Sequence, residues 1–584
     1  MITVYVNGKA TVVAKDTKVL HACAKAGYHV PHLCYHEDLP AFGNCGVCVV
    51  EINGRIIRSC TTPCEEGMQI KTKSKQLLDM RRAATEIILS THPNNCPECI
   101  KNGRCELQDL AKELAIRHFG LKKLRKKYKP RDESSPSITL DQSYCINCGR
   151  CTYVCNEIQD VHALENSNRG FDTYVGPTFE RPLETSECVK CGQCSSYCPV
   201  AAIYENDDSD AVWEALDDPD LVLVAQEAPA VRVALGEEFG LKPGTNVSGK
   251  MYTALRELGF KYVFDTNFGA DLTIMEEASE FVKRFTSEPE KFPLITTCCP
   301  SWVDFLEKFH SDLIPFFSSA KSPHQMVGTM VKTFWAEKMK LDPDNIFLVS
   351  VMPCTAKKYE IERMKDMYAS GKQDVNVTIT TRELARMLKT RGIDLAHLEE
   401  SGADNPLGEY SGAGTIFGAT GGVMEAALRT AYFLVTGKEL PNPRIDFVRG
   451  YRGIKTGSIN IEGHEIRIAV ASGLGNVVKV MNQVRKAREA GAEPPYHFIE
   501  VMACRGGCVG GGGQPYRSTN RIRLARAKGL YKEDEGMQHR ESHNNPSIQK
   551  LYKEYLDKPL SAKAHKLLHT SYIARPMEII RKHD

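Results

Sequence analysis

Twenty-two of the 584 residues are cysteine, and most stand one to four residues apart. In a chain this long, such clusters point to metal or redox chemistry rather than to disulfides, which belong chiefly to small domains in oxidising compartments. Cys145, Cys148, Cys151 and Cys155 follow C-x2-C-x2-C-x3-C, and Cys188, Cys191, Cys194 and Cys198 repeat it, with Pro199 next. In this pattern three closely spaced thiolates wrap one cubane and the two copies exchange the fourth ligand. Cys145, Cys148, Cys151 and Cys198 are therefore expected to hold one [4Fe–4S] cluster, and Cys188, Cys191, Cys194 and Cys155 another. Zinc rarely uses four cysteines this close together twice over.

Two further sets precede these. Cys34, Cys45, Cys48 and Cys60 run as a distant cysteine, a close pair and another distant cysteine, with Gly43 and Gly46 around the pair. The order resembles a plant-type [2Fe–2S] ferredoxin, although the first gap exceeds that family's C-x4-C; a zinc knuckle is the alternative. His92, Cys96, Cys99 and Cys105 form H-x3-C-x2-C-x5-C. On spacing alone Cys3His zinc is a fair rival. The position between two cluster domains favours [4Fe–4S], with imidazole replacing one thiolate.

Five more cysteines fall in three later places. Cys298 and Cys299 follow the apolar run 292–295. Cys354 and Lys357 lie in M-P-C-x2-K-x2-E after the run 346–351. Cys504 and Cys508 lie in E-x-M-x-C-x3-C, which leads into G-G-G-Q-P after the run 497–499. Each motif begins where a strand should end. Ligand sites in open α/β sheets gather beyond the carboxyl ends of strands, so segments far apart in sequence can converge there.

The elements needed to position these residues divide the chain. Residues 1–77 read as a β-rich domain with hairpins at Asn7-Gly8 and Asn53-Gly54 and a helix from Val19 to Ala26. Residues 78–120 read as helical. The basic stretch 121–137 reads as a solvated connection, with a docking patch for an acidic redox partner as the alternative. Residues 138–209 contain the repeat. Residues 210–584 alternate strand-like and helical runs and read as α/β, ending in a helical, polar stretch after about 520. The expected fold class is an α/β domain built around an iron–sulfur site, preceded by small α+β ferredoxin-like iron–sulfur domains. The net charge is +2, so no nucleic-acid partner is called for. No apolar run suits a membrane span, no signal peptide pattern opens the chain, and the cytoplasm is the expected location.

The three late motifs resemble the signature motifs of [FeFe]-hydrogenases. The whole chain, over nearly all of 1–570, resembles the clostridial-type enzymes with accessory clusters. The resemblance implies reversible interconversion of H2 with protons and electrons. It implies that Cys299, Cys354, Cys504 and Cys508 bind a [4Fe–4S] cubane, with Cys508 bridging to a di-iron subsite that carries CO, cyanide and an azadithiolate. Lys357 would hydrogen-bond a cyanide, Met352 and Met502 would pack the pocket, and Ala228 and Pro229 would touch the di-iron unit. The cofactor set is then one [2Fe–2S] cluster, three accessory [4Fe–4S] clusters and this H-cluster, five metal centres in a line. Cys23, Cys64 and Cys298 are left over. Cys23 reads as a buried small hydrophobe, Cys64 has no assigned partner, and the family uses a free thiol at the Cys298 position to pass protons.

The proton route implied by the resemblance runs through Cys298, Glu277, Ser318, Glu280 and Arg284. Composition alone makes Glu277, Glu280 and Arg284 a solvated helix face, since they recur at i, i+3 and i+7. The sequence departs from the common motifs at Thr297, Ser301 and His324, where Ser, Gly and Gln are usual. Two rivals share parts of the pattern. An electron-wiring subunit of an NADH dehydrogenase-like complex would carry no motifs after 210, and a hydrogen sensor tends to lose the proton-transfer cysteine. The implied partners are ferredoxin and/or flavoprotein subunits that handle NAD(P)H, in an electron-bifurcating complex.

Overall fold

The computed structural model describes residues 1–117, 130–575 and 577. Positions 121–129 of the basic connection lie outside the described residues.

The amino-terminal sheet has the order β2-β1-β5-β3-β4, formed by β1 (Ile2–Val6), β2 (Lys9–Val13), β3 (Val49–Ile52), β4 (Arg55–Arg58) and β5 (Gln69–Lys71). Asn7 and Gly8 both have positive φ, as do Asn53 and Gly54. This is the two-residue turn whose twist matches its flanking strands, so both hairpins form where the sequence marks them. A helix at Val19–Lys25 covers one face. The helix Lys75–Thr91 leads out of this unit, its first turn capped by Ser74. Buried Arg81 ties it back to the sheet, donating to Val49 O at 2.7 Å and Thr72 O at 3.1 Å.

Next, β6 (Ile138–Leu140) pairs antiparallel with β9 (Ile203–Glu205), and β7 (Glu165–Ser167) with β8 (Tyr174–Gly176). The cysteine repeats lie on the short helices Arg150–Tyr153 and Gln193–Tyr197.

The remainder holds two four-stranded sheets. In one, β10 (Val222–Glu227), β11 (Tyr262–Asp265), β13 (Ile346–Met352) and β14 (Val377–Thr380) are all parallel. In the other, β12 (Leu294–Ile295), β17 (Phe498–Met502) and β16 (His464–Ser472) are parallel, and β15 (Ile454–Ile461) forms a hairpin with β16. Every residue of β17 is buried, as expected for a strand covered on both faces. The helix Thr266–Ser287 packs against the helices Pro323–Met330 and Gly422–Thr436 and is buried along most of its length.

The polar carboxyl-terminal stretch is not a solvated tail. Its helices, Asn520–Gly536, Pro546–Leu551 and Ala562–Leu568, bury Arg523 and Arg526. Arg523 pairs with Asp38 of the first unit, and Arg526 pairs with Glu237 at 2.6 Å. Thr570 N donates to Ser319 O at 2.8 Å, which straps this stretch over the segment that follows β12. Among the described residues no helix is long and apolar enough to cross a membrane.

Candidate catalytic cavity and its iron–sulfur approach

Four strands deliver their carboxyl ends to one place. Ala228 and Pro229 follow β10, Cys298 and Cys299 come shortly after β12, Met352 ends β13 with Cys354 just beyond, and Met502 ends β17 with Cys504 just beyond. All eight line a single cavity together with Lys357, Cys508 and His324. The walls are otherwise apolar and small. Gly507 forms part of the rim with φ +92, and a Cβ there would fall 2.6 Å from Thr420 N and 2.8 Å from Met502 Sδ, so the turn that carries Cys508 admits only glycine.

Cys299, Cys354, Cys504 and Cys508 sense one another. Burial pushes each thiol up, and the neighbouring thiolates push Cys354 and Cys504 further. Four mutually repelling buried thiolates are stable only around positive charge, which is the donor set of an iron–sulfur cubane. The adjoining apolar space, with one ammonium at its wall, suits a compact metal group with anionic ligands. The residues present therefore fit the H-cluster.

The two glutamates of the late motifs have distinct roles. Glu360 accepts Lys357 Nζ at 2.6 Å, His324 Nε2 at 2.5 Å and Ser322 Oγ at 3.0 Å. Lys357 also reaches Cys298 O at 3.2 Å. Glu500 on β17 accepts Gly421 N at 2.6 Å and Met424 N at 2.8 Å, so it caps the helix Gly422–Thr436 and does not face the cavity. Gln514 bridges Ala230 O at 2.8 Å and Thr381 Oγ1 at 3.0 Å, which pins the glycine run.

Cys298 lies beside the cubane quartet, and burial followed by the charge of Glu277 raises its thiol well above the ordinary value. Glu277 is 1% exposed, and neither carboxylate oxygen finds a hydrogen-bond partner among the described residues. Burial raises it to about 8; nearby Ser318 opposes the shift, and the charges of Glu280 and Glu500 add to it. Ser318 Oγ donates to Glu280 Oε2 at 3.4 Å. Arg284 Nη2 donates to Glu280 Oε1 at 2.7 Å and to Phe317 O at 2.7 Å. Its Nη1 donates to Lys291 O at 2.9 Å and Phe316 O at 3.0 Å. A solvated face is thus the wrong reading of this helix, because the carboxyl-terminal strap and the second sheet cover it. Arg284 holds Glu280 in place at the outer end of this face.

The amino-terminal sets also assemble. Cys34 pairs with Cys45, and Cys48 with Cys60; within each pair one thiol is lowered and its partner raised by their shared hydrogen bond. Cys155 lines one cavity with Cys188, Cys191 and Cys194, and Cys151 senses Cys148, Cys145 and Cys198, the crossed arrangement the repeat predicts. Cys99 senses Cys96, Cys105 senses Cys99, and the His92 ring meets Tyr144, itself near Cys99, edge-on at 5.4 Å. Cys23 and Cys64 are both buried in the core of the first unit; burial and then the proximity of Cys64 push Cys23 up to about 12.

The metal sites do not form a simple line. Asn44, beside Cys45, donates to Asn147 O and Cys148 O, each at 3.3 Å. Arg150 donates to Cys34 O at 3.3 Å and Tyr35 O at 2.7 Å. From the His92 side, buried Lys101 donates to Cys198 O at 2.5 Å. Both amino-terminal sites therefore abut the Cys145 quartet, and the approach is forked. Beyond it, Cys191 lies next to Cys299 and Cys504. Gln159 Nε2 spans the gap, donating to Cys191 Sγ at 3.5 Å and Ala503 O at 2.9 Å. A Cβ on Gly512 would fall 2.4 Å from Cys191 O, so the two domains meet backbone to backbone. The sequence reading missed Gln159, for which only its place four residues after Cys155 was a cue.

The chain resembles known proteins along nearly its whole length. Residues 222–512 match the family described as iron only hydrogenase large subunit, C-terminal domain, and 520–575 match iron hydrogenase small subunit. A 2Fe-2S iron-sulfur cluster binding domain matches 1–75, the NADH-ubiquinone oxidoreductase-G iron-sulfur binding region matches 81–119, and a 4Fe-4S binding domain matches 182–204. The NADP-reducing hydrogenase subunit HndD of Solidesulfovibrio fructosivorans is 44% identical over 98% of this chain and 99% of its own length. Iron hydrogenase 1 of Clostridium pasteurianum is 41% identical over 98% of this chain and 100% of its own. An apo [FeFe]-hydrogenase structure from Chlamydomonas reinhardtii superposes with TM-score 0.55 and 45% identity over 62% of this chain and 98% of that one. The chain belongs to the iron-only, or [FeFe], hydrogenases, oxidoreductases that act on H2 and move its electrons through iron–sulfur clusters.

Proposed function

We propose that catalysis occurs in the cavity beyond β10, β12, β13 and β17, where Cys299, Cys354, Cys504 and Cys508 would hold a [4Fe–4S] cubane together with its di-iron unit. The carrying observation is the convergence on that cavity of four mutually sensing thiols, the free thiol of Cys298 and the Lys357 ammonium. When bound, the cofactor supplies the metal that activates H2. Lys357, oriented by Glu360, binds a cyanide ligand, while Ala228, Pro229, Met352 and Met502 exclude water. Cys298 holds the proton next to the cofactor, Glu277 accepts it, and Ser318 and Glu280 carry it outward to the partly exposed end of the route, where Arg284 fixes Glu280. Groups that both donate and accept suit this task when set in series, since each can take a proton on one side as it releases one on the other.

Electrons use a [2Fe–2S] cluster on Cys34, Cys45, Cys48 and Cys60, a [4Fe–4S] cluster on His92, Cys96, Cys99 and Cys105, and two more on the repeats. The forked entry suits two donors. The Solidesulfovibrio relative is by name a subunit of an NADP-reducing hydrogenase, which supports a hetero-oligomer; in our reading this chain exchanges electrons in the cytoplasm with NAD(P)H-linked flavoprotein subunits and/or ferredoxin. Anaerobic isolation of the native protein tests this: co-purified flavoprotein subunits support it, and a lone chain fully active with ferredoxin overturns it. In a Cys298→Ala variant, H2 evolution should fall by about 10²-fold or more with iron content unchanged; undiminished evolution refutes the route.

A further inference from the structure

His324 stands at one of the positions where this sequence departs from its relatives' motif, and the structure places it in the cavity wall. It opens the helix Pro323–Met330, is 1% exposed, and lines the cavity with Lys357 and Cys298. Both ring nitrogens are engaged. Nε2 lies 2.5 Å from Glu360 Oε2 and Nδ1 lies 3.3 Å from Ser350 Oγ. Its carbonyl accepts Gln226 Nε2 at 2.9 Å, which fixes the backbone beneath the ring. Ser350 is in turn held by Thr378 Oγ1 at 2.8 Å.

These contacts select one tautomer. Burial, and then the charge of Lys357, lowers the imidazole to about 4, so it is neutral near pH 7. Burial opposes ionisation of Glu360, yet Lys357 and His324 hold its carboxyl down to about 2. A carboxylate oxygen only accepts, so Nε2 carries the hydrogen and Nδ1 accepts from the Ser350 hydroxyl. The same Glu360 oxygen takes Lys357 Nζ at 2.6 Å and Ser322 Oγ at 3.0 Å. Three donors share one acceptor atom, and its attraction for the ammonium is divided. Lys357 keeps N–H bonds free for Cys298 O and the cavity.

We propose that His324 is a positioning residue: as a neutral Nε2–H donor to Glu360, it sets how far the Lys357 ammonium extends toward the anionic ligand of the di-iron unit. This rests on the catalytic reading above. Without the imidazole, Glu360 draws the ammonium inward, and the hydrogen bond to the cyanide ligand lengthens. A neutral side chain that still donates to Glu360 restores it.

The test is infrared spectroscopy of the loaded holoenzyme, which reports cyanide and carbonyl stretches independently of turnover. In His324→Ala the cyanide bands should shift relative to wild type and turnover should fall about tenfold, the equivalent of one hydrogen bond to a charged group. In His324→Gln the bands should return to their wild-type positions. Unmoved bands in His324→Ala overturn the proposal, as does a shift that His324→Gln fails to rescue. Should His324→Ala not assemble, Ser350→Ala, which releases Nδ1 and lets the ring turn, should shift the same bands, and no shift there is equally fatal. Absence of cyanide bands in the wild type would count instead against the catalytic reading itself.

Discussion

Replacing Glu277 with Gln should remove activity and raise stability at neutral pH. The carboxyl lies at about 8, against an ordinary 4.5, with burial the main cause. Between those two pH values the folded protein holds a proton that the unfolded chain has released, so stability falls as pH rises. Each unit is worth about 1.4 kcal/mol, so the whole window corresponds to about 5 kcal/mol, and at pH 7 about 3 kcal/mol is already lost. A neutral amide carries no such penalty. The stability difference between the variant and wild type should therefore widen from about pH 4.5 to 8 and then level off. Denaturation of the catalytic domain across that range, under anaerobic conditions and at matched iron content, reads this directly. Turnover should fall about 10²- to 10⁴-fold, the usual share of one acid–base group. A stability difference that does not depend on pH, or a Gln variant with normal turnover, would refute the reasoning.

Gln159→Leu should leave H2/D⁺ exchange at the cavity intact but slow electron delivery through the amino-terminal clusters. It removes the donor to Cys191 Sγ and the bridge to Ala503 O, and losing a hydrogen bond to sulfur lowers a cluster's potential; unchanged rates with both assays contradict the assignment. Arg232→Met should destabilise the catalytic domain by about 3–5 kcal/mol, because it strands the buried carboxylates of Glu227 and Asp265. A denaturation midpoint near the wild-type value counts against that network as a structural centre.

Local chemistry carried much of the reading. Cysteine spacing is set by the size of a cubane, so the crossed quartets were legible in the two repeats. The Asn-Gly turns mark their hairpins because few other pairs take positive φ twice in succession. Strand ends before Cys298, Cys354 and Cys504 showed as apolar runs that stop. The extra reach to Met352 and Met502 did not, since a methionine within a motif is equally at home in a strand.

What the sequence by itself determined is the inventory: the ligands of each site, one free thiol beside the last quartet, and a fold whose strand ends could meet. What only the tertiary structure decided is environment and adjacency. Glu277, Glu280 and Arg284 have the spacing of a solvated face, yet the fold takes Glu277 and Arg284 out of solvent, because strand β17 and the carboxyl-terminal strap cover that face. Order along the chain suggested a line of metal sites. The fork arises because Asn44, Arg150 and Lys101 bring two sites distant in sequence against the same quartet. His324 was visible as an unusual letter, but its part in holding Lys357 depends on a carboxylate 36 residues away. The cause is common to all three cases: covalent order fixes which groups exist, whereas desolvation and hydrogen bonding depend on neighbours that only folding supplies.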